Sequence, residues 1–224
     1  LKYTTITPAI FISRPNRFIA RVNLDGEELA VHVKNTGRCK ELLIPGCKVL
    51  LEKAANPERK TPYDLVAVEY DGCFINIDSQ APNAVVREWL LKSGEYDLVK
   101  PEYKFGDSRI DFYMEKAGEK FLMEVKGCTL FKDGVGYFPD APTERGAKHL
   151  RELAGAIKEG YKTAVAFVIQ GEGINEVRPN EETDPEFTAA FHEAVAAGVK
   201  VIFYTCRVTE DEIEIIGLGP KSTI

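Results

Sequence analysis

The chain has 224 residues, 44% apolar and 29% charged, which is enough to bury a sizeable core and excludes collagen-like, disordered and disulfide-scaffold classes. Its formal charge of −6 argues against a protein that simply coats nucleic acid, but that charge is unevenly spread. Residues 1–60 hold 11 Lys and Arg against 6 Asp and Glu, whereas residues 175–224 hold 4 against 10 and so supply the whole net charge.

Residues 17–77 read as five short strands with period-two patterning, at 17–24, 28–34, 47–53, 64–70 and 73–78, with turn signals at Asp25-Gly26 and Asp71-Gly72. Five strands in so short a stretch predict a small barrel of the OB or SH3-like type, since closure removes exposed edges. At Ala81-Pro82-Asn83 the pattern turns helical, with Val85, Val86, Trp89 and Leu90 recurring at helical spacing up to Gly94. This predicts an all-β domain over 1–80 and a second domain over 81–224. Strands are expected next at 108–115 and 120–126, then a Gly/Pro-rich loop at 132–142. Thr143 is placed to N-cap a helix that runs to about residue 159. An apolar strand at 163–169, a helix at 185–197, a strand at 199–206 and a short strand at 212–216 complete the chain. Strands alternating with helices, two of them nearly continuous apolar runs, predict a mixed α/β domain with a buried, partly parallel sheet.

The cysteines Cys39, Cys47, Cys73, Cys128 and Cys206 are odd in number and scattered, with no zinc-like spacing. A reduced, cytoplasmic setting without a membrane partner is expected, because no long apolar run is present either. Chemistry concentrates in two strands. In 108–114 strict alternation would put Arg109, Asp111 and Tyr113 on one face and Ile110, Phe112 and Met114 on the other. In 121–127 the same alternation puts Glu124 beside Lys126. Two carboxylates 13 residues apart across a short turn, with a lysine between strand and solvent, suit an oxygen-ligated Mg²⁺ or Mn²⁺ acting on a phosphate.

The spacing of Asp111 and Glu124-Val125-Lys126 resembles the Asp…Glu-x-Lys signature of the restriction-endonuclease-like nucleases. The strings Ser108-Arg-Ile-Asp-Phe112, Glu124-Val-Lys-Gly127, Phe138-Pro-Asp-Ala141, Thr143-Glu-Arg-Gly146, Lys148-His149-Leu150 and Asn35-Thr-Gly-Arg38 together resemble the sugar fermentation stimulation protein A family, nearly end to end. That resemblance implies an N-terminal OB-like barrel, a restriction-endonuclease-like α/β/α domain and DNA binding. A third acid is usual in such sites; Glu102, whose segment leads into the Asp111 strand, is the first candidate and Glu88 the second. His149 and Arg145 share a helix face at i, i+4 and are placed to meet a phosphate or leaving oxygen, Arg145 pairing with an anion or with Asp140. On the barrel, Arg14, Arg17, Arg21, Lys34, Arg38 and Lys40 would track phosphates while Phe11 and Phe18 stack bases. Asn35 and Arg38 flank a Gly-containing turn suited to cradling a phosphate. The expected metal ligands are Asp111, Glu124 and Glu102. The expected activity is metal-dependent phosphodiester hydrolysis on DNA; the alternative is a non-catalytic DNA-binding regulator linked to sugar metabolism. Self-association through the acidic C-terminal segment is a further expectation.

Overall fold

The computed structural model describes residues 1–35 and 37–220. Its first half is built from β1 (Ile6–Asn16), β2 (Ile19–Leu24), β3 (Glu27–Val33), β4 (Lys48–Lys53), β5 (Tyr63–Tyr70) and β6 (Cys73–Asn76). Hydrogen bonding runs in the order β3-β2-β1-β4-β5-β6, and a parallel β3–β5 pairing at His32–Asp64 and Val33–Leu65 closes the first five strands into a barrel. The barrel therefore has no long open edge. The strand expected at 17–24 is in fact the second; β1 precedes it and carries two prolines that mask it in sequence. Pro8 is tolerated because β1 pairs only with β4 at that point, its pairing with β2 starting at Ile10. Inside the barrel Phe11, Val22, Val31, Val49, Leu51, Leu65 and Ile77 are buried together, so Phe11 is a core residue and not a base-stacking one.

One polar cluster in the barrel ties its closure to pH. Asp64, only 7% exposed at the β3–β5 seam, is bonded by Arg59 at 2.8 and 2.9 Å and faces His32 Nδ1 at 2.7 Å. Burial pushes this carboxyl up, but the Arg59 guanidinium and the His32 ring outweigh it and hold it below the ordinary carboxylate range. Because the folded value is the lower one, the contribution is complete above the unfolded value of about 4 and is lost as pH falls through the folded value. Urea midpoints of the wild type are expected to fall more steeply below about pH 4 than those of Asp64→Asn. Parallel curves for the two proteins would contradict this.

The second half contains α1 (Ala81–Ser93), β7 (Leu98–Phe105), β8 (Ser108–Lys116), β9 (Glu119–Cys128), β10 (Leu130–Lys132), β11 (Val135–Phe138), α2 (Glu144–Ile157), β12 (Lys162–Ile169), β13 (Val177–Pro179), α3 (Pro185–Ala197), β14 (Lys200–Val208) and β15 (Ile213–Leu218). Six of these strands form a mixed sheet in the order β15-β14-β12-β9-β8-β7, with β12 parallel to both β9 and β14. Seven of the eight residues of β12 are buried, as a strand covered on both faces requires. One face packs on α1 and on Leu50, Val66 and Ala67 of the barrel; the other packs on α2 and α3. The two halves thus share a continuous core. The edge strand β7 escapes sequence reading because Pro101 interrupts it, which an edge permits. The loop expected at 132–142 instead contributes β11, which joins β10 and β13 in a small three-stranded sheet.

The helix starts agree closely with their cap residues. Thr143 Oγ1 accepts from Gly146 N, and Asp184 Oδ1 accepts from Phe187 N. Asp184 also accepts from Thr143 N at 2.7 Å, so one carboxylate fixes the first turns of both α2 and α3. The five cysteines are free thiols. Among the described residues no helix is long and apolar enough to cross a membrane.

Candidate metal centre and adjoining cleft

Strands β8 and β9 pair from Lys116–Glu119 up to Phe112–Met123 and then separate, while β9 stays bonded to β12. At the point of separation Asp111 Oδ2 accepts from Val125 N at 2.8 Å, replacing the lost ladder acceptor, and Oδ1 accepts from Asn83 Nδ2 of α1 at 2.8 Å. The separation also breaks the strict alternation expected for this strand. Phe112 and Met114 face the α1 layer, but Ile110 joins Tyr113 on the α2 side, and Asp111 is left in the mouth of the split.

Glu124 and Lys126 do share a face, as alternation requires. Glu124 is 3% exposed; its Oε1 accepts from Lys126 Nζ at 2.7 Å and meets His149 Nδ1, whereas its Oε2 is buried with no hydrogen-bond partner. His149 is buried too, and its Nε2 accepts from Arg145 Nε at 3.3 Å. An arginine can only donate, so Nε2 offers a lone pair and the ring proton sits on Nδ1, pointing at Glu124. The result is a directed chain, Arg145 to His149 to Glu124. Burial and the neighbouring Glu124 charge push the Asp111 carboxyl up to about 6, against the Val125 N–H, Lys126 and Asn83. Burial also raises Glu124, but Lys126 and His149 reverse this and keep it below its ordinary value.

A buried carboxylate oxygen without a donor, beside a second carboxylate that burial and its charged neighbour make hard to ionise, is an arrangement that a divalent cation would satisfy. The donor set is oxygen-only and small, which suits Mg²⁺ or Mn²⁺ better than a metal wanting nitrogen or sulfur ligands. Glu102 and Glu88 do not complete it. Glu102 adopts φ 55° in β7, and its exposed carboxylate is held by Arg109 at 2.8 Å; Glu88 is 59% exposed along α1. Among the described residues no group of three or more His, Cys, Asp and Glu side chains converges to hold a metal.

Beside the acids a cavity of about 750 Å³ opens between the barrel and the second half, lined by Arg14, Arg17, Arg38, Lys40, Gly127 and Thr143 among others. Its cations divide into fixed and free. Arg14 donates to the carbonyls of Arg17, Asn35, Gly37 and Arg38 at 2.6–2.8 Å, and Arg38 donates twice to the Asp140 carbonyl across the cleft. Asn35 is a turn residue, its side chain bonded to Gly37 N and Ile77 O; the Thr36 of the same string lies outside the described residues. Arg17 and Lys40 are exposed. Lys34 and Arg21 are paired, with Asp78 and Glu28 respectively. Arg145 meets His149 and not Asp140, and has no carboxylate within ion-pair distance among the described residues. Arg14→Ala is therefore expected to lower stability by about 2 kcal/mol, since it strands four carbonyls, with a thermal midpoint below the wild type's. An unchanged midpoint together with weaker DNA binding would make Arg14 a contact residue instead.

What sequence reading missed here is Asn83, Gln170 and the role of Gly127. Gln170 bonds Asn76 Oδ1 and the Asp78 carbonyl across the junction, and a Cβ on Gly127 would collide with the Gln170 side chain. None of these positions stands out by spacing or charge.

Two family models match the chain: "Sugar fermentation stimulation protein RE domain" over residues 80–212 and "SfsA N-terminal OB domain" over residues 12–77. A sugar fermentation stimulation protein homolog of Desulfitobacterium hafniense (strain DSM 10664 / DCB-2) is 51% identical over 216 residues, covering 96% of this chain and 95% of the relative. The corresponding protein of Clostridium beijerinckii is 50% identical over 218 residues, with 96% of each covered. Among solved structures, that of Pyrococcus furiosus SfsA in complex with Ca²⁺ superimposes with a TM-score of 0.87 at 26% identity, covering 97% of this chain and 96% of the other.

Proposed function

The chain belongs to the sugar fermentation stimulation protein family, and from that premise we propose that it binds DNA and hydrolyses phosphodiester bonds with a divalent cation held by Asp111 and Glu124. The observation that carries this reading is the unpartnered, buried Glu124 Oε2 next to Asp111. The Ca²⁺ in the similar Pyrococcus furiosus structure supports a divalent-cation site, and Mg²⁺ or Mn²⁺ is the proposed working ion. When bound, such an ion supplies Lewis-acid polarisation of the phosphoryl group and an acidified water.

The chain's own residues have separate tasks. Asn83 and Val125 N hold the Asp111 carboxylate in place, and His149 and Lys126 hold Glu124 so that Oε2 remains free. Lys126, 13% exposed and anchored on Glu124, is placed to donate to the attacked phosphate or to orient the water. Arg145, at the first turn of α2 and bonded to His149, would take the leaving side of the phosphate. A non-catalytic DNA-binding regulator is the second reading, favoured by one observation: neither Glu102 nor Glu88 joins the two acids. The test is incubation of pure protein with single-stranded, duplex and branched DNA, with and without Mg²⁺ or Mn²⁺, reading cleavage and retention together. Metal-dependent cutting is expected; retention without cutting in every arm would select the regulator.

A further inference from the structure

The cleft beside the acids has a volume, a charge and a rim that fit one strand of nucleic acid better than two, and we propose that the protein takes an unpaired polynucleotide strand through it. This deepens the reading above and rests on it for the direction in which the strand leads. A space of about 750 Å³ lies in the range of pockets that enclose a small ligand, room for a few nucleotides. A double helix, whose major groove alone is about 12 Å across, cannot enter it and could only lie over its mouth.

Charge gives the cleft its sign. Its lining holds four cations, Arg14, Arg17, Arg38 and Lys40, against one carboxylate, Asp140. None of the four has a carboxylate within ion-pair distance among the described residues; Arg14 and Arg38 spend their donors on neutral carbonyls, which fixes them in place without cancelling their charge. On a chain of net charge −6 this is a concentrated positive field.

The rim supplies a surface for bases. Phe18 is 50% exposed on the barrel, next to the cleft-lining Arg17, whose guanidinium lies 5.9 Å from its ring centre. Phe11 is buried in the barrel core and Phe74 is partly buried, whereas Phe18 leaves half its surface to solvent, and a base stacked on it would gain both the ring and the cation. Paired bases present only groove edges to such a platform; unpaired ones present their faces.

A path continues past the acids. Gly127, next to Lys126, lines the cleft, and His149, which touches Glu124, lines a second hollow of about 480 Å³ together with Arg109, Arg145 and Lys148. Each hollow is thus lined by a residue that adjoins this pair, Gly127 next to Lys126 in sequence and His149 bonded to Glu124. A strand entering past Phe18 and Lys40 would cross the acids and leave between α2 and the start of β8.

The experiment is fluorescence anisotropy in a chelator, where a metal-dependent cut cannot occur. The probes are a labelled strand of about 12 nucleotides made as DNA and as RNA, and the same DNA strand annealed to its complement. At least one single-stranded probe should bind about tenfold more tightly than the duplex, and Phe18→Ala and the double variant Arg17→Ala/Lys40→Ala should each weaken it by about fivefold or more. Only the double variant should also flatten the salt dependence. A duplex that binds as tightly as both single strands overturns the proposal, and so does single-strand binding indifferent to these surface substitutions. A strand that binds as expected but is never cut with Mg²⁺ or Mn²⁺ sustains the strand-binding claim and removes the nuclease reading instead.

Discussion

Glu124→Gln is expected to reduce metal-dependent cleavage by about a thousandfold while leaving DNA retention unchanged. The substitution keeps the volume of a side chain that is only 3% exposed, so the sheet should hold its shape. It removes the negative charge that Lys126 and His149 converge on and replaces one oxygen by an amide nitrogen that repels a cation. Asp111→Asn should behave alike, and the double variant should be little worse than either single one, because groups that act as a unit lose function together. Cleavage by the double variant at the wild-type rate would sink the assignment of both acids.

His149 offers the second large effect, and it separates positioning from packing. Its Nδ1–H holds Glu124 Oε1 while Arg145 fixes the tautomer from the other side, an arrangement like that of the groups that orient metal ligands. His149→Ala should weaken Mn²⁺ binding about 10- to 100-fold, measured by calorimetry or by the spectrum of free Mn²⁺. His149→Asn, whose amide can still donate from nearly the same place, should recover part of that loss. Equal Mn²⁺ affinity in the wild type and His149→Ala would reduce the histidine to a filler of the helix-to-sheet interface.

The two-part architecture was legible because its signals are local. The cap at Thr143, the left-handed Gly94 that closes α1, and the apolar run of β12 each announce an element from a few residues. The strands that were not legible, β1 and β7, contain prolines whose harmlessness depends on which neighbour pairs where, a non-local fact. The same division holds at the site. Glu124 and Lys126 share a face through simple alternation, and Asp111 stands out by its spacing from them. Its true setting required knowing that β8 and β9 part at Phe112. The setting of the third-acid candidate is non-local too: Glu102 lies opposite Asp111 in register, but its backbone turns to a positive φ and Arg109 pairs with its exposed carboxylate. Composition could not separate the barrel cations either. Arg14 and Arg38 brace loops through carbonyls, while Arg17 and Lys40 remain open to solvent, a distinction that only the fold makes.

Everything proposed for this site turns on a divalent cation held between Asp111 and Glu124. Crystals grown or soaked with Mn²⁺ and measured for anomalous scattering test it directly. A single strong peak is predicted within ligand distance, about 2.2 Å, of Glu124 Oε2 and of an Asp111 carboxylate oxygen, absent from Glu124→Gln crystals. A Mn²⁺ peak elsewhere in the molecule, or none at these two carboxylates at saturating metal, would contradict it.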